Sequence, residues 1–126
     1  MRSRIFVVAA MAAGSVLSAQ RPIGRDAVYF EYQVEKPVMA VNGSPTPRYP
    51  DILKSAGVEG EVVVAFVVDT TGRADVSSLK ILKSTHELFA AAVRTALPSM
   101  RFLPAEVGGH KVKQLEQQPF VFNIMK

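Results

Sequence analysis

The 126-residue sequence contains no cysteine, no tryptophan and only two histidines. The absence of cysteine excludes a disulfide framework, a thiolate metal cluster, a cysteine nucleophile and a lipidated bacterial N-terminus. With two histidines, a metal site would need several carboxylates close together. The sequence also has no nucleophile-elbow motif and no glycine-rich phosphate loop. We therefore expect a protein that is not an enzyme and has no catalytic residues, metal ion or cofactor.

The composition is that of one small globular domain, with 48% hydrophobic and 21% charged residues. The formal net charge is +4. Arg2 and Arg4 belong to the predicted leader. Without them 13 of the 15 basic residues and all 11 acidic residues remain, so the net charge falls to +2. These charges are scattered along the chain, whereas nucleic-acid-binding proteins concentrate them on one face. We expect no nucleic-acid partner.

The first 19 residues have the three parts of a secretory signal peptide. Arg2 and Arg4 come first, an uncharged run from Ile5 to Leu17 follows, and small residues lead to Ala19. The run is shorter than the roughly 20 residues that a membrane span needs. The sequence therefore predicts a signal peptide over residues 1–19 and an exported protein, and an uncleaved inner-membrane anchor is the alternative.

Residues 20–45 are predicted to be a linker that contains one strand at about residues 28–35. From Val28 to Glu35 apolar and polar side chains alternate, which is the period of a half-buried strand. We expect this strand to fold back onto the following domain and to cover an exposed sheet edge. A strand exchanged between two copies is the alternative.

The middle of the chain predicts a helix, two strands joined by a tight turn, and a second helix. The apolar run from Val62 to Val68 favours a strand because β-branched residues suit extended backbone. Asp69 to Gly72 is a turn sequence. The remaining predicted elements are a helix over residues 50–57, a strand over residues 73–82 and a helix that starts with a capping box from Ser84 to Glu87.

The C-terminal stretch, residues 114–123, is predicted to be the last strand. Phe120, Phe122 and Ile124 share one face, as expected for a strand packed on a core. Pro119 lies inside this stretch, and a proline cannot donate to a sheet ladder. The strand is therefore expected at a sheet edge or at a bulge.

The order of these signals resembles one known family. The motifs are Pro47-Arg48-Tyr49-Pro50, Gly57-Val58-Glu59-Gly60, the valine strand ending in Asp69-Thr70-Thr71-Gly72, Ser84-Thr85 before an alanine-rich helix, Arg101-Phe102-Leu103-Pro104-Ala105 and Pro119-Phe120-Val121-Phe122. In this order and spacing, the stretch from Pro45 to Ile124 is similar to the C-terminal domain of the TonB energy-transducer family.

The resemblance implies an α+β fold, a small two-layer domain over residues 46–126 with a three-stranded antiparallel sheet and two helices. The strand near residues 28–35 would be an extra N-terminal strand. The resemblance also implies a periplasmic module that binds an extended segment of a TonB-dependent outer-membrane transporter by strand addition, in energy-coupled transport. The implied partner-binding residues are Pro47, Tyr49, Pro50, Gln114, Glu116, Gln117, Gln118, Phe120, Val121 and Asn123.

The sequence departs from the family pattern in its N-terminal half. Both His86 and His110 lie far from the N-terminus, the long proline-rich spacer of full-length transducers is absent, and Thr46 stands where well-known members have glutamine. Contact with a proton-driven motor complex is therefore expected only if the N-terminus stays anchored. The alternative function is a soluble, self-associating envelope scaffold or adaptor, in which the partner is a second copy of the chain.

Overall fold

A computed structural model describes residues 27–124 of the chain, so the predicted signal peptide lies outside the described residues. Within this range no helix has the length and apolar character needed to cross a membrane. In chain order the elements are β1 (Val28–Tyr29), a 3₁₀ turn (Glu31–Gln33), β2 (Met39–Ala40), α1 (Asp51–Ser55), β3 (Gly60–Val68), β4 (Ala74–Ser84), α2 (Glu87–Ala96), a second 3₁₀ turn (Leu97–Ser99), β5 (Phe102–Leu103), β6 (Ala105–Val107) and β7 (His110–Phe122).

The main sheet has five strands in the order β1-β7-β3-β4, with β6 paired to the beginning of β7, and β2 and β5 form a separate two-stranded sheet. The α+β fold with two helices is as expected, but the expected strand number of three is wrong. The additional strands have only two or three residues each. Apart from β1, which lies inside the predicted strand over residues 28–35, such short segments show no alternation that a sequence pattern could detect.

The long hairpin of β3 and β4 supplies one side of the core. Val62, Val64, Phe66 and Val68 of β3 are fully buried on one face, whereas the residues between them are half-buried. The connecting turn is held by Asp69, whose carboxylate accepts hydrogen bonds from the backbone of Thr71 at 2.8 Å and of Arg73 at 3.1 Å. Burial opposes ionisation of Asp69, but the hydrogen bond of 2.6 Å from the Thr71 hydroxyl, together with the two backbone hydrogen bonds, outweighs it and lowers the pKa of Asp69 below its ordinary value.

The helix α2 covers the buried face of the sheet with an apolar stripe. Phe89 and Val93 are completely buried, and so is Leu97 in the turn that follows. The predicted Ser84 capping box is not formed. Instead, His86 is the N-cap residue, and its Nδ1 accepts a hydrogen bond of 3.0 Å from the N–H of Leu88. At either position a side-chain acceptor of the N-cap residue satisfies a free N–H of the first helical turn.

The predicted linker is an ordered part of the domain from residue 28 onwards, and we call residues 28–44 the N-terminal strap. The strap pairs with β7 through β1, bridges β6 at Lys36 and pairs with β5 through β2. Val38, near its middle, is 7% exposed and belongs to the core.

The predicted strand over residues 28–35 is much shorter than expected. Its regular part ends at Tyr29 because the side-chain Oε1 of Gln33 accepts the N–H of Phe30 at 2.8 Å and closes a 3₁₀ turn. The strand does pair with β7, the last long strand, but its register covers only Lys113 and Gln114. The expected cover of the sheet edge is therefore limited to the start of β7.

Candidate functional site: the outer edge of the last strand

The outer edge of β7 is a sheet edge that remains open over most of its length. On its inner side β7 pairs with β3 without a register shift, from Gly60 opposite Phe122 to Val68 opposite Gln114. On its outer side β1 pairs only with Lys113 and Gln114. No strand within residues 27–124 pairs with the rest of this side, so its N–H and C=O groups can accept an added strand.

The opposite edge of the sheet, formed by β4, is less suited to strand addition. The register of β4 against β3 shifts between Val63 and Val64 and again between Ala65 and Val67. Bulges of this kind bend a strand and interrupt its row of hydrogen-bonding groups. The two edges therefore differ, because β7 has a continuous register and β4 does not.

Tyr49 packs the preceding loop against the C-terminal end of β7. Its ring meets the rings of Phe89 and Phe122 edge-on, at centroid distances of 5.7 and 5.6 Å. Its hydroxyl donates a hydrogen bond to the carbonyl oxygen of Val58. Partial burial, and after it the carboxylate of Glu59, raise the pKa of Tyr49 above its ordinary value. Tyr49 is thus neutral at physiological pH and holds the loop in place.

A cleft of about 370 Å³ lies where this loop meets β7. It brings together two groups of predicted site residues that are far apart in the sequence. The lining residues are Thr46, Pro47, Tyr49, Pro119, Phe120, Val121, Phe122 and Asn123. The cleft and the open edge share the segment from Pro119 to Asn123, so a strand added there could place a side chain in the cleft.

The predicted site residues of β7 divide between the two faces of the sheet. Gln114, Glu116, Gln118 and Phe120 lie opposite core-facing residues of β3 and therefore share the core side. Phe120 is 8% exposed and contributes to the core. Gln117, Val121 and Asn123 are exposed. The exposed group is available to a partner, whereas a buried side chain is not.

Gln114 is completely buried and has a structural role. Its Oε1 accepts the N–H of Val38 at 3.0 Å, and its Nε2 donates to Oε1 of Glu116 at 3.2 Å. Burial, with a smaller contribution from the carboxylate of Glu31, raises the pKa of Glu116 to about 7. Gln114 thereby anchors the N-terminal strap, and Glu116 accepts a hydrogen bond from its side-chain amide.

Pro50 lies away from the β7 edge. It is the N-cap residue of α1 and lines a second cleft, of about 450 Å³, between the loop and α2. Sequence reasoning placed Pro50 in the site and omitted Thr46, Pro119 and Phe122, which line the first cleft. The omitted Pro119 did carry a signal, because a proline inside a strand indicates an edge.

Comparison with known proteins identifies the family of this fold. The family model described as the Gram-negative bacterial TonB protein C-terminal matches residues 45–124. The chain belongs to the TonB C-terminal family. Over 81 residues it is 35% identical to Protein TonB of Pseudomonas aeruginosa. This matched stretch covers 64% of this chain and 23% of that protein.

A solved structure agrees with this assignment. The solution structure of the Pseudomonas aeruginosa TonB C-terminal domain superposes with a TM-score of 0.59 and 31% identity, covering 71% of this chain and 88% of that one. By contrast, the chain spans only about a quarter of the length of the curated Protein TonB. The whole N-terminal strap, residues 28–44, precedes residue 45 and lies outside the family match.

Proposed function

We propose that this chain is a non-enzymatic, periplasmic protein-binding module that acts in energy-coupled transport across the outer membrane. Its TonB C-terminal domain binds an extended segment of a TonB-dependent outer-membrane transporter, which adds as a strand to the outer edge of β7. The observation that carries the proposal is the unshifted outer edge from Gln117 to Phe122, with which no strand in the described part of the chain pairs. The cleft beside it receives a side chain of the added strand.

The partner-binding residues in this proposal are those that reach the edge or the cleft without serving the core. Gln117, Val121 and Asn123 present backbone groups at the edge, and Pro47 and Tyr49 form the opposite wall of the cleft. The side chains of Gln114, Glu116 and Phe120 support the strand from the core side. The main chain supplies affinity in this mode of binding, and the cleft supplies selectivity.

Export is part of the proposal, since the partner segment faces the periplasm. The signal peptide over residues 1–19 delivers the domain to that compartment. If this segment is retained as an anchor, the domain faces the periplasm from the inner membrane and contacts a motor complex. Intact mass spectrometry of the chain from the cell envelope distinguishes the two forms.

The test of binding removes one hydrogen-bond donor from the edge. Val121→Pro deletes an N–H at an exposed position whose side chain is 64% exposed. The matched control, Val121→Thr, changes the same side chain and keeps the N–H. Binding of synthetic peptides from periplasm-facing transporter segments is measured by calorimetry for each.

We expect Val121→Pro to weaken binding by roughly five- to tenfold, the equivalent of one hydrogen bond, and Val121→Thr to leave it within about twofold. Equal affinities for both variants, with unchanged thermal unfolding, would place the peptide elsewhere on the domain.

A further inference from the structure

The direction of the backbone groups in β3 follows from three hydrogen bonds. The N–H of Glu61 donates to Oγ1 of Thr85 at 2.9 Å, and its C=O accepts from the N–H of Thr85 at 2.9 Å. The N–H of Val67 donates to Oγ of Ser78 at 2.8 Å. Glu61 and Val67 thus direct their backbone groups toward β4. Because this direction alternates along a strand, Gly60, Val62 and every second residue after them face β7.

The register transfers this alternation to β7. Residues opposite Gly60, Val62, Val64, Phe66 and Val68 direct their backbone groups to β3, and the residues between them direct theirs to the outer edge. The outward set within the paired strand comprises Leu115, Gln117, Pro119 and Val121. Asn123 follows the last residue of β7, and the same alternation directs it outward. The hydrogen bond of 2.8 Å from the N–H of Ile124 to the carboxylate of Glu59 has the expected inward direction.

Pro119 occupies the centre of the open edge and has no N–H. The outward-facing donors beyond the contact with β1 are therefore the N–H groups of Gln117, Val121 and Asn123, with a gap between the first two. Any single strand added across this gap leaves one of its carbonyl groups without a donor. When two copies pair edge to edge about a two-fold axis, each contributes its own Pro119, so two carbonyl groups lack donors.

We propose that Pro119 makes the β7 edge selective for a foreign extended segment over a second copy of this chain. This inference rests on the proposed function, since it concerns the same edge. Pro119 does not disturb the fold, because its missing donor faces outward and the ladder to β3 remains complete. Prolines at sheet edges oppose edge-to-edge association in this way. The selectivity arises from symmetry. One hydrogen bond is missing when a foreign segment binds, whereas two are missing when two copies of this chain pair.

The test restores the donor in the full chain with Pro119→Val, and Pro119→Ala serves as a second variant of smaller volume. The control is Lys80→Val, which places an exposed valine on the opposite edge strand, β4, without adding a backbone donor and outside the proposed binding site. Self-association is measured by sedimentation equilibrium. Peptide binding is measured by NMR titration with a short soluble peptide of alternating threonine and valine that carries a lysine at each end. Thermal unfolding and the amide spectrum verify the fold of each variant.

We expect the restored donor to tighten peptide binding roughly fivefold and self-association by about the square of that factor, roughly 25-fold. Lys80→Val should change both constants by less than about twofold. If Pro119→Val and Pro119→Ala behave like Lys80→Val in self-association, the inference is wrong.

The same data separate this inference from the proposed function. If the peptide leaves the amide signals of Gln117, Val121 and Asn123 unchanged in the unmodified chain, binding at the edge fails, while the self-association series still decides the effect of Pro119. If the signals shift but restoring the donor changes neither constant, the edge binds strands and Pro119 is not selective.

Discussion

The N–H of Val38 donates a hydrogen bond of 3.0 Å to Oε1 of Gln114, and both residues are buried. This contact joins the middle of the N-terminal strap to the core side of β7. A polar side chain is tolerated in the core here because its amide group satisfies a backbone donor that would otherwise be buried without a partner. The strap is thereby fixed to the strand whose outer edge, beyond the contact with β1, is the candidate binding site.

The first prediction concerns this contact. Gln114→Met keeps most of the side-chain volume but leaves the N–H of Val38 without an acceptor, so we expect a loss of roughly 1–3 kcal/mol in the free energy of unfolding. Urea unfolding at neutral pH measures this loss. The control is Gln117→Met on the same strand, an exposed position at which we expect a change within about 0.5 kcal/mol. Equal effects at both positions would show that the buried hydrogen bond contributes nothing.

Glu116 leads to a prediction about pH. Its pKa is raised from 4.5 to about 7, because the folded protein disfavours its charged form. Between pH 4.5 and about 7 the folded state binds more protons than the unfolded state. The contribution of Glu116 to the free energy of unfolding therefore falls as the pH rises through this range and is constant above it. Since Glu116 is only half-buried, we expect this loss to be about 1–2 kcal/mol, less than the full shift implies.

The substitution Glu116→Gln removes this titration. We expect the variant to be more stable than the unmodified chain at pH 8 and to lack this part of the decline between pH 5 and 7. Thermal unfolding at several pH values measures how the stability of each protein changes with pH. Parallel curves for the two proteins would contradict the assigned pKa.

Gly72 in the β3–β4 turn allows a prediction with an internal control. Its φ is +87°, and a Cβ atom there would lie 2.1 Å from the carbonyl oxygen of Phe102. Gly43 has a similar φ of +83° but open space around it. We expect Gly43→Ala to cost about 1 kcal/mol for the backbone conformation alone, and Gly72→Ala to cost at least about 2 kcal/mol more because of the added clash. Chemical denaturation of both variants checks the difference, and equal costs would mean that the turn relaxes freely.

The sequence predicted the long elements because their patterns are strong. The apolar pattern is clear in the valine run of β3 and in the stripe of α2. The turn from Asp69 to Gly72 carries a local sequence signal. The short strands β2, β5 and β6 could not be predicted, since two or three residues show no period. Alternation did indicate a strand at β1, but a longer one. Their pairing depends on contacts between distant residues, such as Lys36 with Glu106.

The site was predicted in part for a similar reason. The alternation of the C-terminal stretch identified Phe120 and Phe122 as one face, which the structure buries. The family resemblance placed Gln114 and Glu116 at the partner. In the structure the strap covers this end of the core face. The strap is held there by the hydrogen bond between Val38 and Gln114, which lie 76 positions apart in the sequence. The role of Gln114 could not be inferred without that long-range contact.

The most direct test of strand addition is amide hydrogen exchange at the outer edge of β7. In the free chain the N–H groups of Gln117, Val121 and Asn123 point to the open edge and should exchange quickly. Addition of a transporter-derived peptide should slow the exchange of these three amides together and leave the edge of β4 unchanged. If the peptide binds and these three amides exchange as before, strand addition at β7 is not how this domain binds its partner.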